Sequence, residues 1–175
     1  MEVISTIFLD VITNNVLVVA IFSWLVSQVI KVILNAIINK KFSIERLFGD
    51  GGMPSGHSAT VTACAAMCGW TYGFDSAVFG IAFVLAIVVM HDATGVRREA
   101  GRHAVAINEI VETVNNNVEE DINIARLKEF VGHTHKQVIV GCLLGIIVTV
   151  IFCAVAQIGY ASGTPADLIA LFAKQ

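Results

Sequence analysis

Residues 16–38 run almost without charge, interrupted by Gln28 and Lys31, and further apolar runs follow at 57 to 70 or 74, at 77–90 and at 138–158. About 20 such residues suffice to cross a bilayer, and within lipid a lone segment satisfies its backbone only as a helix. Charged residues make up 14% of the 175, against about a quarter in soluble domains, too few to cover the surface of a soluble fold. The chain is therefore expected to be all-α. It should form one domain, residues 1–175, an integral membrane bundle of about four transmembrane helices plus an amphipathic surface helix. The second run is short and rich in small residues, Ser58-Ala-Thr-Val-Thr-Ala-Cys-Ala-Ala, which suits packing against helices rather than lipid.

Residues 94–132 are polar by contrast. Val96, Ala100, Ala104, Ile107, Val111, Val114 and Val118 recur at helical spacing, with Glu99, Arg102, Glu109 and Glu112 on other faces. This predicts an amphipathic helix that lies on the membrane surface or caps the bundle. Asn115-Asn116-Asn117 marks its frayed end, residues 122–130 are expected to form one more short helix, and 165–174 an interfacial one. Lys40, Lys41 and Arg46 lie between the first two runs, and Arg97, Arg98, Arg102, Arg126, Lys128 and Lys136 between the last two. The other side carries Lys174 alone, so the positive-inside rule puts both basic loops in the cytoplasm. A net charge of −3 with no basic tract argues against nucleic acid as a partner. Cys64, Cys68, Cys142 and Cys153 sit in apolar runs and are expected to be inert thiols. Residues 1–12 carry Glu2 and Asp10 and lack the basic start of a cleaved signal.

Four polar features stand out. Gly51-Gly52-Met53-Pro54-Ser55-Gly56-His57-Ser58 leads into the second run. Proline near a first turn and Ser55 or Ser58 as N-cap would serve any helix start. The same geometry suits an anion, with open N–H groups, glycine for close approach, a serine donor, and His57 to protonate a leaving oxygen. After the third run comes Asp92-Ala-Thr-Gly-Val-Arg97-Arg98-Glu-Ala-Gly-Arg102-His103. Two arginines at a helix start oppose its dipole unless an anion is near, although they also suit snorkelling or pairing with Asp92 and Glu99. Gly132-His133-Thr134-His135-Lys136-Gln137 opens the fourth run, placing His133 on the side and at the depth of His57, two spans away. His135 is the weaker candidate of the two. Lys31, inside a span, either has a partner or a task there or snorkels towards the boundary near Lys41. Two histidines, several guanidinium groups, a lysine and a serine at one membrane face suit phosphoryl transfer through a histidine nucleophile. That chemistry calls for no metal or other cofactor.

Pro54-Ser55-Gly56-His57-Ser58 resembles the central motif of the type-2 phosphatidic acid phosphatase superfamily, which includes vanadium haloperoxidases. With Gly-Gly-Met-Pro-Ser-Gly-His-Ser-Ala, Asp92-Ala-Thr-Gly-Val-Arg97-Arg98-x-Ala-Gly and Gly132-His133-Thr134, the chain is similar to its small divergent bacterial and plant branch from the first span onward. The resemblance implies a phosphatase in the bacterial cell membrane, acting on a lipid phosphate or polyprenyl diphosphate through a phosphohistidine. From the residues and the resemblance together, catalysis is expected of His133, His57 and Asp92, and phosphate binding of Ser55, Gly56, Arg97, Arg98 and Lys31. The alternative is a non-catalytic membrane protein whose pocket binds phosphate head groups or a partner. The superfamily's first motif (Lys, six residues, Arg-Pro) has no counterpart here, leaving Lys31, Lys40, Lys41 and Arg46 as candidates. Its third motif (Ser-Arg, five residues, His, three residues, Asp) fits two frames. One uses His133, with Leu127 for Arg and Gln137 for Asp; the other uses His103, with Arg97 in place and Ile107 for Asp. His133 heads a membrane helix and is the expected nucleophile, with Asp92 supplying the carboxylate that Gln137 lacks.

Overall fold

A computed structural model describes residues 2–40, 52–117, 125–129, 132–156 and 158–159, and among these residues six helices form. They are α1 (Glu2–Ile12), α2 (Asn15–Asn39), α3 (Gly56–Tyr72), α4 (Ala77–Thr94), α5 (Val96–Asn115) and α6 (His135–Val155). Polar side chains beside the apolar runs set the starts. Asn14, Ser55, Ser76 and Thr134 each accept from backbone N–H groups in the first turns of α2, α3, α4 and α6. These caps satisfy donors that the helix itself leaves open. α1 is an additional short helix whose apolar side chains, Ile4 and Phe8 among them, are exposed.

Among the described residues, three helical runs are long and apolar enough to cross a membrane: α2, the continuous α4–α5 stretch, and α6. α3 has 17 residues, about 26 Å at ~1.5 Å per residue and short of the ~30 Å hydrocarbon core. Its 17 residues stand at the short end of the range for crossing helices. α3 runs among them, packed against α2, α4 and α6. Small residues make this possible. A Cβ added at Gly141 or Gly145 of α6 would lie 2.5 Å from the Ser55 carbonyl or 2.6 Å from that of Ala59, so the two backbones meet directly. Close backbone approach of this kind is what holds helices together in lipid, where burial alone gives little drive. Val19, Ala63, Met67 and Cys153 fill the seam between α2, α3 and α6. Ala65, Cys68, Ala82 and Ala86 fill that between α3 and α4. All four cysteines are unbridged, with Cys68 and Cys153 buried and Cys64 and Cys142 partly so. Ile81, Val84 and Val88 of α4 face outward, as lipid-facing residues do.

α2 carries a concealed polar ladder. Ser23, Ser27, Lys31 and Asn35 recur every fourth residue and are buried, as is Gln28. The Ser23 hydroxyl donates to the Ala59 carbonyl at 3.2 Å, tying the ladder to α3. α5 is the predicted amphipathic helix and ends at Asn115, capped by Asn116 inside the asparagine run. Among the described helices it meets α4 alone, so it does not cap the bundle. Residues 125–129 clasp it instead, and they are not helical as expected for 122–130. Leu127 N–H donates to Asn108 Oδ1 and Asn108 Nδ2 donates to the Leu127 carbonyl, both at 3.0 Å. Those two bonds occupy the backbone groups that a helix would use. The remainder of 122–130 and the expected helix at 165–174 lie outside the described residues.

Candidate active site

The later half of α2, the start of α3, the α4–α5 junction and the start of α6 meet at one end of the bundle. Two backbone bonds fix the meeting: Ser55 N–H donates to the Gln137 carbonyl at 3.1 Å, and His133 N–H to the Ala93 carbonyl at 2.9 Å. Gly132 adopts φ +89°, and a Cβ there would lie 2.5 Å from the Arg98 nitrogen. Glycine both takes that conformation and lets the loop rest on the backbone of Arg97 and Arg98. His133 is consequently buried while His57, in the first turn of α3, is exposed; their ring centroids are 6.4 Å apart. Lys31 arrives from the interior. Its Nζ lies 3.6 Å from where a Gly56 Cβ would stand, and its stem packs 3.8 Å from the same point on Gly52. The buried lysine thus points into the Gly52–Gly56 turn rather than away to the boundary.

Beside these groups opens a cleft of about 330 Å³, lined by Gly52, Arg98, Arg102, Val105, Glu129 and His133 among others. Arg97 turns elsewhere: its Nε donates to Asp92 Oδ2 at 2.6 Å, with both side chains about half exposed. Asp92 is therefore engaged with Arg97 across the Gly95 bend. Gln137, at the aspartate position of the third motif, is tied to the helix start. Its Oε1 accepts from Thr134 N–H at 2.8 Å while Thr134 Oγ1 accepts from Gln137 N–H. Ser55 is fully buried and accepts from both the N–H and the hydroxyl of Ser58, at 3.3 and 2.9 Å, so it works as the cap of α3. Gly56 is buried against Ser27, Trp24 and Lys31. His103 and His135 are exposed and are not among the cleft's lining residues. Lys40 is the exposed left-handed cap of α2, and Lys41 and Arg46 lie outside the described residues.

Glu129 also lines the cleft. Hydrogen bonds from Asn108 Nδ2 at 2.9 Å and from Arg126 Nη2 at 3.0 Å hold its carboxyl below the usual range, and the same pairing raises Arg126. Glu129 and Ser27 belong to this end of the molecule without having been singled out from sequence, and Arg102, part of the Asp92–His103 feature, had been given no role. The spacing of four between Arg98 and Arg102 was the available signal, as it was along the α2 ladder. Among the described residues no group of three or more His, Cys, Asp or Glu is placed to hold a metal ion.

A helical membrane bundle brings a Pro-Ser-Gly-His turn to within 6.4 Å, between ring centroids, of a second histidine. The family model described as the divergent PAP2 family matches residues 12–148, and the chain belongs to that family. It is 36% identical over 152 residues to the uncharacterized membrane protein YuiD of Bacillus subtilis (strain 168), covering 82% of this chain and 96% of that protein. No solved structure matches it. Apolar spans, family and relative together make it an integral membrane protein.

Proposed function

We propose that this protein hydrolyses a membrane phosphate ester, a lipid phosphate or a polyprenyl diphosphate, through a phosphohistidine on His133. The observation that carries the reading is the juxtaposition of His57 and His133 at 6.4 Å between ring centroids. With the nucleophile about 3–3.5 Å from phosphorus and the acid within hydrogen-bond reach of the leaving oxygen, two imidazoles this close suit the two sides of one phosphoryl group. A His133 ring nitrogen attacks phosphorus, the bond to the leaving oxygen breaks, and that oxygen takes the electron pair and a proton from His57. Water, losing a proton to His57, then attacks the phosphohistidine and releases inorganic phosphate with His133 restored. Lys31 and Arg98 face the developing charge on the phosphoryl oxygens, and the buried setting of Lys31 strengthens its effect. Asp92 contributes by anchoring Arg97, whose exposed pair is weak enough to exchange for a phosphate.

The test is phosphate release by purified protein in detergent. Turnover should survive EDTA and stop with vanadate, and acid-labile label from a phosphate-labelled substrate should be trapped on His133. Activity lost to EDTA and restored by magnesium would refute this mechanism. One observation favours a second reading, a protein that only binds phosphate head groups: the oxygen of Gln137 is committed to Thr134, so no charge steadies an imidazolium from that position. Binding of phosphate without release of any would select it.

A further inference from the structure

α1 stands apart from the bundle. Among the described helices it meets α2 alone, and its side chains from Val3 to Ile12 are all exposed. Its apolar residues are ordered. Ile4, Ile7, Phe8 and Val11 follow the i, i+3, i+4, i+7 spacing of a single helix face and are 52% to 74% exposed. Ser5, Thr6 and Asp10 occupy the other side, with Leu9 among them. The break before α2 is built into the sequence. Thr13 N–H and Oγ1 both donate to the Leu9 carbonyl, at 2.9 and 2.7 Å, and Asn14 N–H donates to that of Val11 at 3.3 Å. Asn14 Oδ1 then accepts from the N–H groups of Val16 and Leu17, at 3.0 and 3.2 Å. Closing carbonyls of one helix and opening N–H groups of the next thus find partners inside a two-residue turn, which sets α1 off as a unit of its own.

The bundle fixes the level of that turn. Val16 of α2 and Trp70 of α3 pack against one cluster, Val19, Ala63, Met67 and Cys153, at the end remote from His57 and His133. Trp70 is bonded there to the Ile158 carbonyl, and Tyr72 follows it, exposed. Tryptophan and tyrosine gather at the level of lipid head groups, so α2 starts at a membrane boundary. Leu17 and Ile21, in the first turns of the span, are exposed as well, so lipid already covers the protein where α1 is tethered. The 11 residues of α1 extend about 16 Å at ~1.5 Å per residue, too short for the ~30 Å hydrocarbon core. They include Glu2 and Asp10 and no basic residue, so apolar burial rather than attraction to anionic head groups has to hold the helix. We infer that α1 is an in-plane anchor whose partner is the lipid surface at the end opposite the site. Ile4, Ile7, Phe8 and Val11 enter the acyl chains, and Thr6 and Asp10 face water.

Spin labelling of the full chain in phosphatidylcholine vesicles tests this, with single nitroxides at Ile4, Thr6, Ile7, Phe8, Asp10 or Val11 and the native cysteines replaced by alanine. Dissolved oxygen concentrates in lipid, whereas a nickel chelate stays in water. The ratio of oxygen to nickel collision rates should be at least about threefold higher at Ile4, Ile7, Phe8 and Val11 than at Thr6 and Asp10, as for a helix with one face sunk below the head groups. The alternation should persist at about 1 M salt, where charge attraction is screened to ~3 Å. High nickel rates at every position, ratios that do not follow the helix spacing, or an alternation lost in salt would each overturn the anchor. A second measurement keeps the native cysteines. A benzophenone amino acid in place of Phe8 should, on irradiation, add the mass of one phospholipid to the chain. A product of twice the chain's mass would assign the face to a second copy instead, and the absence of any lipid adduct would likewise refute the lipid contact.

Discussion

His133 and His103 both satisfy part of one sequence pattern, but the chain holds them differently. The backbone of His133 is bonded to Ala93, its neighbour Gly132 is seated on Arg97 and Arg98, and its ring is buried within 6.4 Å of His57. His103 stands exposed on α5, outside the face formed by Arg98, Gly101, Arg102 and Val105. Nucleophilic attack demands placement to within a fraction of an ångström, which a fixed ring supplies and an exposed one does not. His133→Ala should therefore abolish turnover, a loss of three or more orders of magnitude on the scale of removed nucleophiles, while His103→Ala should cost less than about tenfold. His57→Ala should slow esters with poor leaving groups far more than activated aryl esters, since only the former need a proton as the bond breaks. Steady-state kinetics on well-folded variants checks all three, and an inactive His103→Ala beside an active His133→Ala would reverse the assignment.

Between α5 and residues 125–129 the contact is polar. Asn108 bridges both backbone groups of Leu127 and donates to Glu129, which also receives Arg126. The carboxyl of Glu129 is held below its ordinary value by Asn108 first and by Arg126 second. A depressed carboxylate stabilises the folded arrangement above its unfolded pKa, and that contribution is lost as pH falls through the lowered folded value. The clasp should thus be intact at neutral pH and loosen only below about pH 4, the ordinary carboxylate range. Hydrogen-exchange protection at Leu127, corrected for intrinsic rates, should drop there, and Asn108→Ala should remove it at every pH. Unchanged protection down to about pH 3 would mean that Glu129 does not hold the clasp. The same segment shows where sequence stops informing. Apolar runs locate α2, α4 and α6 because membrane insertion leaves them one explanation, and the 3.6-residue spacing locates α5. Residues 122–130 carry helical composition, but two side-chain bonds from Asn108, nineteen positions away from Leu127, override it. The α2 ladder escapes notice because Ser23 and Ser27 hardly lower the apolarity of their span. Lys31 and Gly56 meet only through tertiary packing of α2 on α3, and the Thr134–Gln137 capping box, though legible as Thr-x-x-Gln, competes with the motif position that Gln137 also occupies.

Alternation of the helices places the described candidate residues at one end of the bundle. α2 ends, α3 begins, α4 ends and α6 begins there, while the opposite end is closed by Trp70 Nε1–H donating to the Ile158 carbonyl at 3.0 Å. Sidedness of the site is therefore a single binary question. Lys40, Arg97, Arg98, Arg102, Arg126, Lys128 and Lys136 all belong to the site end, whereas the segment joining α3 to α4 at the other end carries Asp75 and no basic residue. Positive charge near membrane helices is retained in the cytoplasm, so the site should face inward and draw its substrate from the inner leaflet. Two engineered cysteines decide it, in a chain whose Cys64, Cys68, Cys142 and Cys153 are replaced by alanine. Asn116→Cys, beyond the exposed end of α5, should resist a membrane-impermeant maleimide in intact cells and react once they are permeabilised. Asp75→Cys, exposed on the far side, should react in intact cells. The reciprocal pair guards against a label that fails for lack of reactivity, since each position serves as the control for the other. Labelling of Asn116→Cys from outside, with Asp75→Cys protected, would turn the molecule over and assign the substrate to the outer leaflet.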